Sequence, residues 1–177
     1  MAIRQRFVIT LLCVFFGCAA CAQQSDAFFS ELLSRKGKSY SGKAIYMPDT
    51  IKPNDFWGKT LQFAVTEKNG EIKMPFTVGE NTSRTWIIRK TSRGLELKHD
   101  HRHPDGQPDS ITNYGGQSDK ILGTQLSQFF NADEYTAKLI PAAARNRWIM
   151  QFSPDKKKFY YILERDNILR FKAEFDL

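Results

Sequence analysis

Cysteine is confined to one end of this chain. Its three copies, Cys13, Cys18 and Cys21, all lie in or beside the first 22 residues. From Gln23 onward there is none, which excludes a disulfide, a thiol nucleophile and a thiolate metal site there. Histidine is almost as scarce: the three copies, His99, His101 and His103, fall within five residues. Long apolar runs are missing too. The longest, Phe7 to Phe16, is too short for a comfortable membrane-spanning helix. No Gly-x-Ser-x-Gly elbow, His-Glu-x-x-His pair, phosphate-cradling Gly-rich loop or dinucleotide fingerprint occurs. The formal charge is +7, or +5 from Gln23 on, and the basic residues are scattered. Their one run, Lys156-Lys157-Lys158, reads as a solvated turn. Without a basic aromatic platform the chain is not a nucleic-acid binder.

What is present begins with a leader. Arg4 and Arg6 precede the apolar stretch, and Ala20-Cys21-Ala22 is a small-x-small cleavage site. Residues 1–22 therefore predict a secretory signal peptide, leaving one β-rich domain at 23–177. A second reading takes Cys18-Ala19-Ala20-Cys21 as a lipobox, with the lipid, and any membrane attachment, on Cys21. Either way the expected location is outside the cytoplasm of a Gram-negative bacterium: periplasmic, secreted, or anchored as a lipoprotein.

The spacing of Phe28, Phe29, Leu32 and Leu33 predicts a helix over Ser25–Lys36 that plugs or braces a sheet. From Tyr40 the pattern changes to period two. Expected strands are Tyr40–Met47, Lys59–Thr66, Ile72–Thr77, Arg84–Lys90, Leu95–His101, Ser110–Tyr114, Thr136–Ile140, Arg147–Ser153, Lys158–Glu164 and Ile168–Phe175. Gly115-Gly116 through Gly123 reads as a loop, and Leu126–Asn131 as a short strand or helical turn. In the last strand Leu169, Phe171, Ala173 and Phe175 face inward, while Arg170, Lys172, Glu174 and Asp176 face outward. Short hairpin-linked strands predict a mainly β fold: an antiparallel up-and-down barrel, lipocalin- or calycin-like, with one N-terminal helix, because closure removes exposed edges. A β-sandwich is the alternative.

The chemistry concentrates in Leu95-Glu96-Leu97-Lys98-His99-Asp100-His101-Arg102-His103. On a strand, Leu95, Leu97, His99, His101 and His103 share a face, and the leucines mark that face as interior. Imidazoles at i and i+2 lie about 6.5 Å apart, a spacing at which two can converge on one divalent transition metal. His99 and His103 are about 13 Å apart on an ideal strand, and Pro104 ends the run. His99 and His101 are therefore the credible pair, with Asp105 as a candidate further ligand. Equally, His99, His101, His103 and Tyr114 could contact a small molecule, or the histidines could form a structural network. Asp105-Gly106-Gln107-Pro108-Asp109 reads as a tight turn with too few alternating oxygens for calcium. Phe56, Trp57, Trp86, Tyr114, Trp148, Tyr160 and Tyr161 are candidates for core packing or a ligand cage.

The segments Arg84-Thr85-Trp86-Ile87-Ile88, Leu97 to Asp109, Tyr114-Gly115-Gly116, Leu139 to Ala144 and Phe171 to Leu177 together resemble a family of small, secreted, functionally uncharacterised bacterial proteins. The run His99-Asp100-His101-Arg102-His103-x-Asp105-Gly106-x-Pro108-Asp109 is its most specific piece. The resemblance implies export and a single domain and carries over no catalytic residue. The expectation is an exported envelope protein binding a metal ion or small molecule at the histidine cluster. A metal-assisted or acid/base enzyme using that cluster, and a structural or interaction protein, are the alternatives.

Overall fold

The computed structural model describes residues 13–48 and 56–177, with side chains from residue 23 onward. The expected leader thus falls outside the described residues, except for the backbone of 13–22. That backbone is the start of a helix, α1 (Cys13–Leu33). Eleven strands follow: β1 (Ser39–Tyr46), β2 (Leu61–Ala64), β3 (Thr66–Lys68), β4 (Glu71–Val78), β5 (Asn81–Thr91), β6 (Gly94–His101), β7 (Tyr114–Gln117), β8 (Ser127–Asn131), β9 (Asn146–Phe152), β10 (Lys158–Arg165) and β11 (Ile168–Asp176). A short helix, α2 (Glu134–Leu139), and a 3-10 turn at Pro141–Ala143 lie between β8 and β9.

The strands form one antiparallel sheet that follows chain order, with β3 as a side branch on β4. The ends of the meander meet: β1 pairs with β11, Gly42 opposite Phe175 and Ala44 opposite Ala173. This is an up-and-down barrel, and the sandwich alternative is excluded. Its thinnest seam lies between β7 and β8. A single bridge, Ser118 to Phe130, spans it, with Asp119 N–H donating to Phe129 O at 2.7 Å and Asp133 N–H to Gly115 O at 2.9 Å.

Inward parity fills the interior. Leu61, Phe63, Met74, Phe76, Trp86, Ile88, Leu95, Leu97, Phe159, Ala173 and Phe175 are all buried. Helix α1 closes one end as expected, burying Phe28, Phe29 and Leu32, with Phe28 against Phe152 at 5.4 Å between rings. Lys90 pairs with Asp26 there at 2.6 Å, and Arg35 donates to Lys156 O at 3.2 Å, tying the helix to the β5–β6 and β9–β10 turns. The Lys156 run is indeed a turn, and Lys156 reaches Glu31 at 2.6 Å.

Three expectations are corrected. Thr136–Ile140 is not a strand. Asp133 caps α2 by accepting from Thr136 N–H at 2.8 Å, and Glu134 and Lys138 occupy its first and last turns. That order, Asp-Glu, then Lys, then Pro141, is a helix signature that five residues of period-two pattern obscured. Ser110–Tyr114 is mostly a bend, because Asp109 Oδ1 accepts from Ile111 N–H at 3.0 Å and Asn113 takes φ 58°. Gly115-Gly116, read as loop, is the middle of β7.

Helix α2 latches the thin seam. Fully buried Thr136 accepts from Gly115 N–H at 2.7 Å and donates to Gly115 O at 2.8 Å. Asp133 also pairs with Lys98 of β6. Asp133→Ala removes both the cap and this ion pair. The expected loss is about 1–2 kcal/mol, read as a lower urea midpoint with an unchanged denaturant slope.

Candidate functional site

At the end of the barrel opposite α1, the inward residue of successive strands turns from apolar to polar. On β5 the inward run is Ile88, Trp86, Arg84; on β6 it is Leu95, Leu97, His99, His101. On β9, read from its far end, it is Phe152, Met150, Trp148, Asn146; on β10 it is Phe159, Tyr161, Leu163, Arg165. Strand register sets these residues side by side: Trp86 opposite His99, Arg84 opposite His101, His99 opposite Tyr114 and Arg165 opposite Asn146. All of these but Trp86 line a cavity of about 530 Å³ together with Phe56, Phe76, Ile140, Arg170 and Phe171. That volume is within the range of small-molecule sites.

His99 is 3 % exposed and forms the cavity floor. The Tyr114 carbonyl only accepts, so His99 Nδ1 carries the proton and donates to it at 3.1 Å. Nε2 is then the acceptor for Tyr161 Oη at 2.7 Å. The imidazole stacks on the Tyr114 ring, 4.6 Å between centroids, and tilts against Trp148 at 5.1 Å. Burial drives its pKa down to about 3, further than the Tyr114 carbonyl can restore, and the charges of His101 and Lys98 add to the fall. At neutral pH it is a neutral, fully bonded side chain.

His101 is half-buried and shares a 3.1 Å hydrogen bond between its Nε2 and Tyr114 Oη. Its pKa is lowered by burial and then by Arg84, against the pull of Asp109 and Asp100. Burial raises the Tyr114 phenol to about 12, so it stays protonated. Tyr161 is raised as well, first by burial and then by Tyr114.

His103 and Asp105 stand apart from the cavity. β6 ends at His101, and Arg102 makes a lone bridge with Pro108. The Pro104–Gly106 turn is closed by Gly106 N–H donating to His103 O at 2.9 Å. Asp105 is exposed, its Oδ1 accepting from Gln107 N–H at 2.9 Å. The strand thus delivers His99 and His101 to the interior, and the turn carries His103 and Asp105 out. On the outer face Asp100 and Arg102 pair with each other at 3.0 Å. No cluster of three or more His, Cys, Asp or Glu able to hold a metal occurs among the described residues. Of the aromatic candidates, Phe56, Tyr114, Trp148 and Tyr161 line the cavity, whereas Trp57, Trp86 and Tyr160 do not. Trp86 stacks behind Tyr161 at 4.4 Å.

The arginines were not singled out from the sequence. Arg84 and Arg165 share the inward parity of Trp86 and Tyr161, so that signal was present. Arg170 was read as outward, and the structure reverses this. Leu163 pairs with Phe171 but Glu164 pairs with Leu169, so Arg170 is the extra residue of a β-bulge. A bulge re-aims its side chain, and Arg170 lines the cavity. Arg84 Nη1 and Arg170 Nε are buried without a hydrogen-bond partner among the described residues; a bond left unmade costs about 1–3 kcal/mol. Arg165 Nε donates to Asn146 Oδ1 at 2.8 Å. The guanidinium of Arg84 sits 5.4 Å from the Phe56 ring centroid, and Phe56 lies 5.1 Å from Phe171.

Among the described residues no helix is long and apolar enough to cross a membrane. Set against protein-family models, curated proteins and solved structures, the chain matches none of them.

Proposed function

We propose that this is an exported bacterial envelope protein that binds a small organic molecule inside its barrel, at the wall formed by His99, His101 and Tyr114. The observation that carries this reading is the cavity itself: about 530 Å³, with one aromatic and apolar side and a few convergent polar groups. Such a lining suits recognition, in which apolar surface supplies burial and fixed polar groups supply orientation. Export rests on the leader pattern of residues 1–22, with attachment through Cys21 as the lipidated variant.

A divalent metal on His99 and His101 is the weaker reading. Both nitrogens of His99 are already bonded, so a metal would displace Tyr161 or the Tyr114 carbonyl, and Asp105 is held in the exposed turn. An acid/base enzyme would have to rely on His101, the less enclosed imidazole.

A neutral, polarity-sensitive dye such as N-phenyl-1-naphthylamine tests the binding reading. Saturable one-to-one fluorescence enhancement is expected. It should weaken roughly tenfold or more in an Ala143→Phe/Leu163→Trp variant, which puts two rings into the cavity. Absence of saturable binding to the parent, or equal binding by a folded filled variant, would overturn it.

A further inference from the structure

We propose that the cavity selects an organic oxyanion with an apolar body: the charged head reaches Arg84 and Arg170, and the body lies along Phe56, Phe171 and Trp148. This rests on the cavity reading above and adds the charge and class of the ligand.

Charge comes first. Among the described residues, three guanidiniums, of Arg84, Arg165 and Arg170, line the cavity and no carboxylate does. None of the three takes part in an ion pair among the described residues, whereas Arg89, Arg102, Arg145 and Arg147 do. The other titratable groups described in the lining offer no compensating negative charge. Both tyrosines stay protonated and both imidazoles are biased to the neutral form.

Unmade bonds come second. Arg84 Nη1 and Arg170 Nε are buried donors with no acceptor among the described residues. Native interiors rarely leave such groups open. A guanidinium presents a planar fork matched to carboxylate and phosphate oxygens, which accept charge-assisted bonds from it.

Placement comes third. Arg170 reaches the interior only because β11 gives up one ladder position at its bulge, and bulges beside sites commonly serve to aim a side chain. The two arginines bracket Phe56 and Phe171, so a bound head and an adjoining apolar body would be served by neighbouring groups. A neutral ligand would leave the guanidinium charge uncompensated and forgo the charge-assisted bonds. A cation would add repulsion to three like charges. An inorganic anion would leave the aromatic wall uncovered.

The test is competition against N-phenyl-1-naphthylamine by four ten-carbon compounds: decanoate, decyl phosphate, decan-1-ol and decylamine. One or both anions should displace the dye at concentrations roughly tenfold or more below those of the alcohol and the amine. The better anion identifies the head group. Arg84→Gln/Arg170→Gln should erase that preference, so that the anions displace the dye no better than decan-1-ol does from the same variant. If decan-1-ol displaces the dye as well as either anion does, the charge assignment fails and the cavity reading survives. The same holds if the folded double variant keeps the anion preference. If the parent binds neither dye nor any of the four, both fail together. The comparison among ligands on the parent protein needs no variant to fold.

Discussion

Gly116→Ala is expected to destabilise the protein by about 3 kcal/mol or more, or to prevent folding outright. A Cβ built on Gly116 falls 1.8 Å from Asn131 O and 2.9 Å from Asn131 C. Those atoms are backbone of the facing strand, so no side-chain rotation can make room. β7 and β8 must separate, and they are joined by only one bridge and a few flanking bonds. Gly115 is constrained twice over, with φ 150° and a Cβ position 2.0 Å from Leu97 O. Gly106→Ala is the control. Its φ is 84° with nothing within 4 Å of the added carbon, so only backbone strain of about 1–2 kcal/mol is expected. Urea midpoints of the three proteins decide the matter; equal losses in the two variants would refute the seam as the weak closure of the barrel.

Lowering the pH from 7 to 5 is expected to cost about 2 kcal/mol through His99 alone. In the unfolded chain this imidazole takes up a proton near its ordinary value of 6.5, but in the native barrel only at about 3. Between those values the unfolded state binds more protons. The stability is therefore complete above 6.5, falls as pH drops through the window, and is fully lost only below about 3. Each pH unit inside the window is worth about 1.4 kcal/mol. His101 adds in the same direction, because its pKa is also lowered. Carboxylates held low enter later. Burial opposes the ionised form of Asp133, but the hydrogen bonds from Lys98 and Thr136 outweigh it, so its contribution is lost below the usual carboxylate range. The interval from pH 6.5 to 5 thus belongs to the histidines. His99→Phe should flatten the rise of the unfolding midpoint with pH across that interval, leaving the smaller slope of His101. An unchanged slope would mean that His99 is not the buried neutral base described.

These two expectations differ in how far the sequence alone led to them. The interior placement of His99 was legible because Leu95 and Leu97 precede it at period two, and a strand transmits parity without reference to anything else. His103 was separable on the same basis, since Pro104 ends the strand. The seam at Gly116 was not legible. Gly115-Gly116 carries no side chain whose pattern could mark a strand; what makes it one is its pairing with Leu97 and Lys98 of β6, and Asn131 and Thr136 then lie against it.

The sequence by itself determined the meander, the helix that caps it and the inward row that ends in His99 and His101. All of these follow from local periodicity and near-neighbour hairpins. Tertiary structure decided the remainder. Helix α2, whose capping signature is local, is docked on the β7–β8 seam because Asp133 and Thr136 find partners in β6 and β7. Arg170 faces inward because the pairing of β11 with β10 slips by one residue, and a slip is a property of two strands together. The meeting of Arg84 with Arg165 and Arg170 in one cavity arises from closure of the barrel, which sets β5 across the interior from the β10–β11 hairpin.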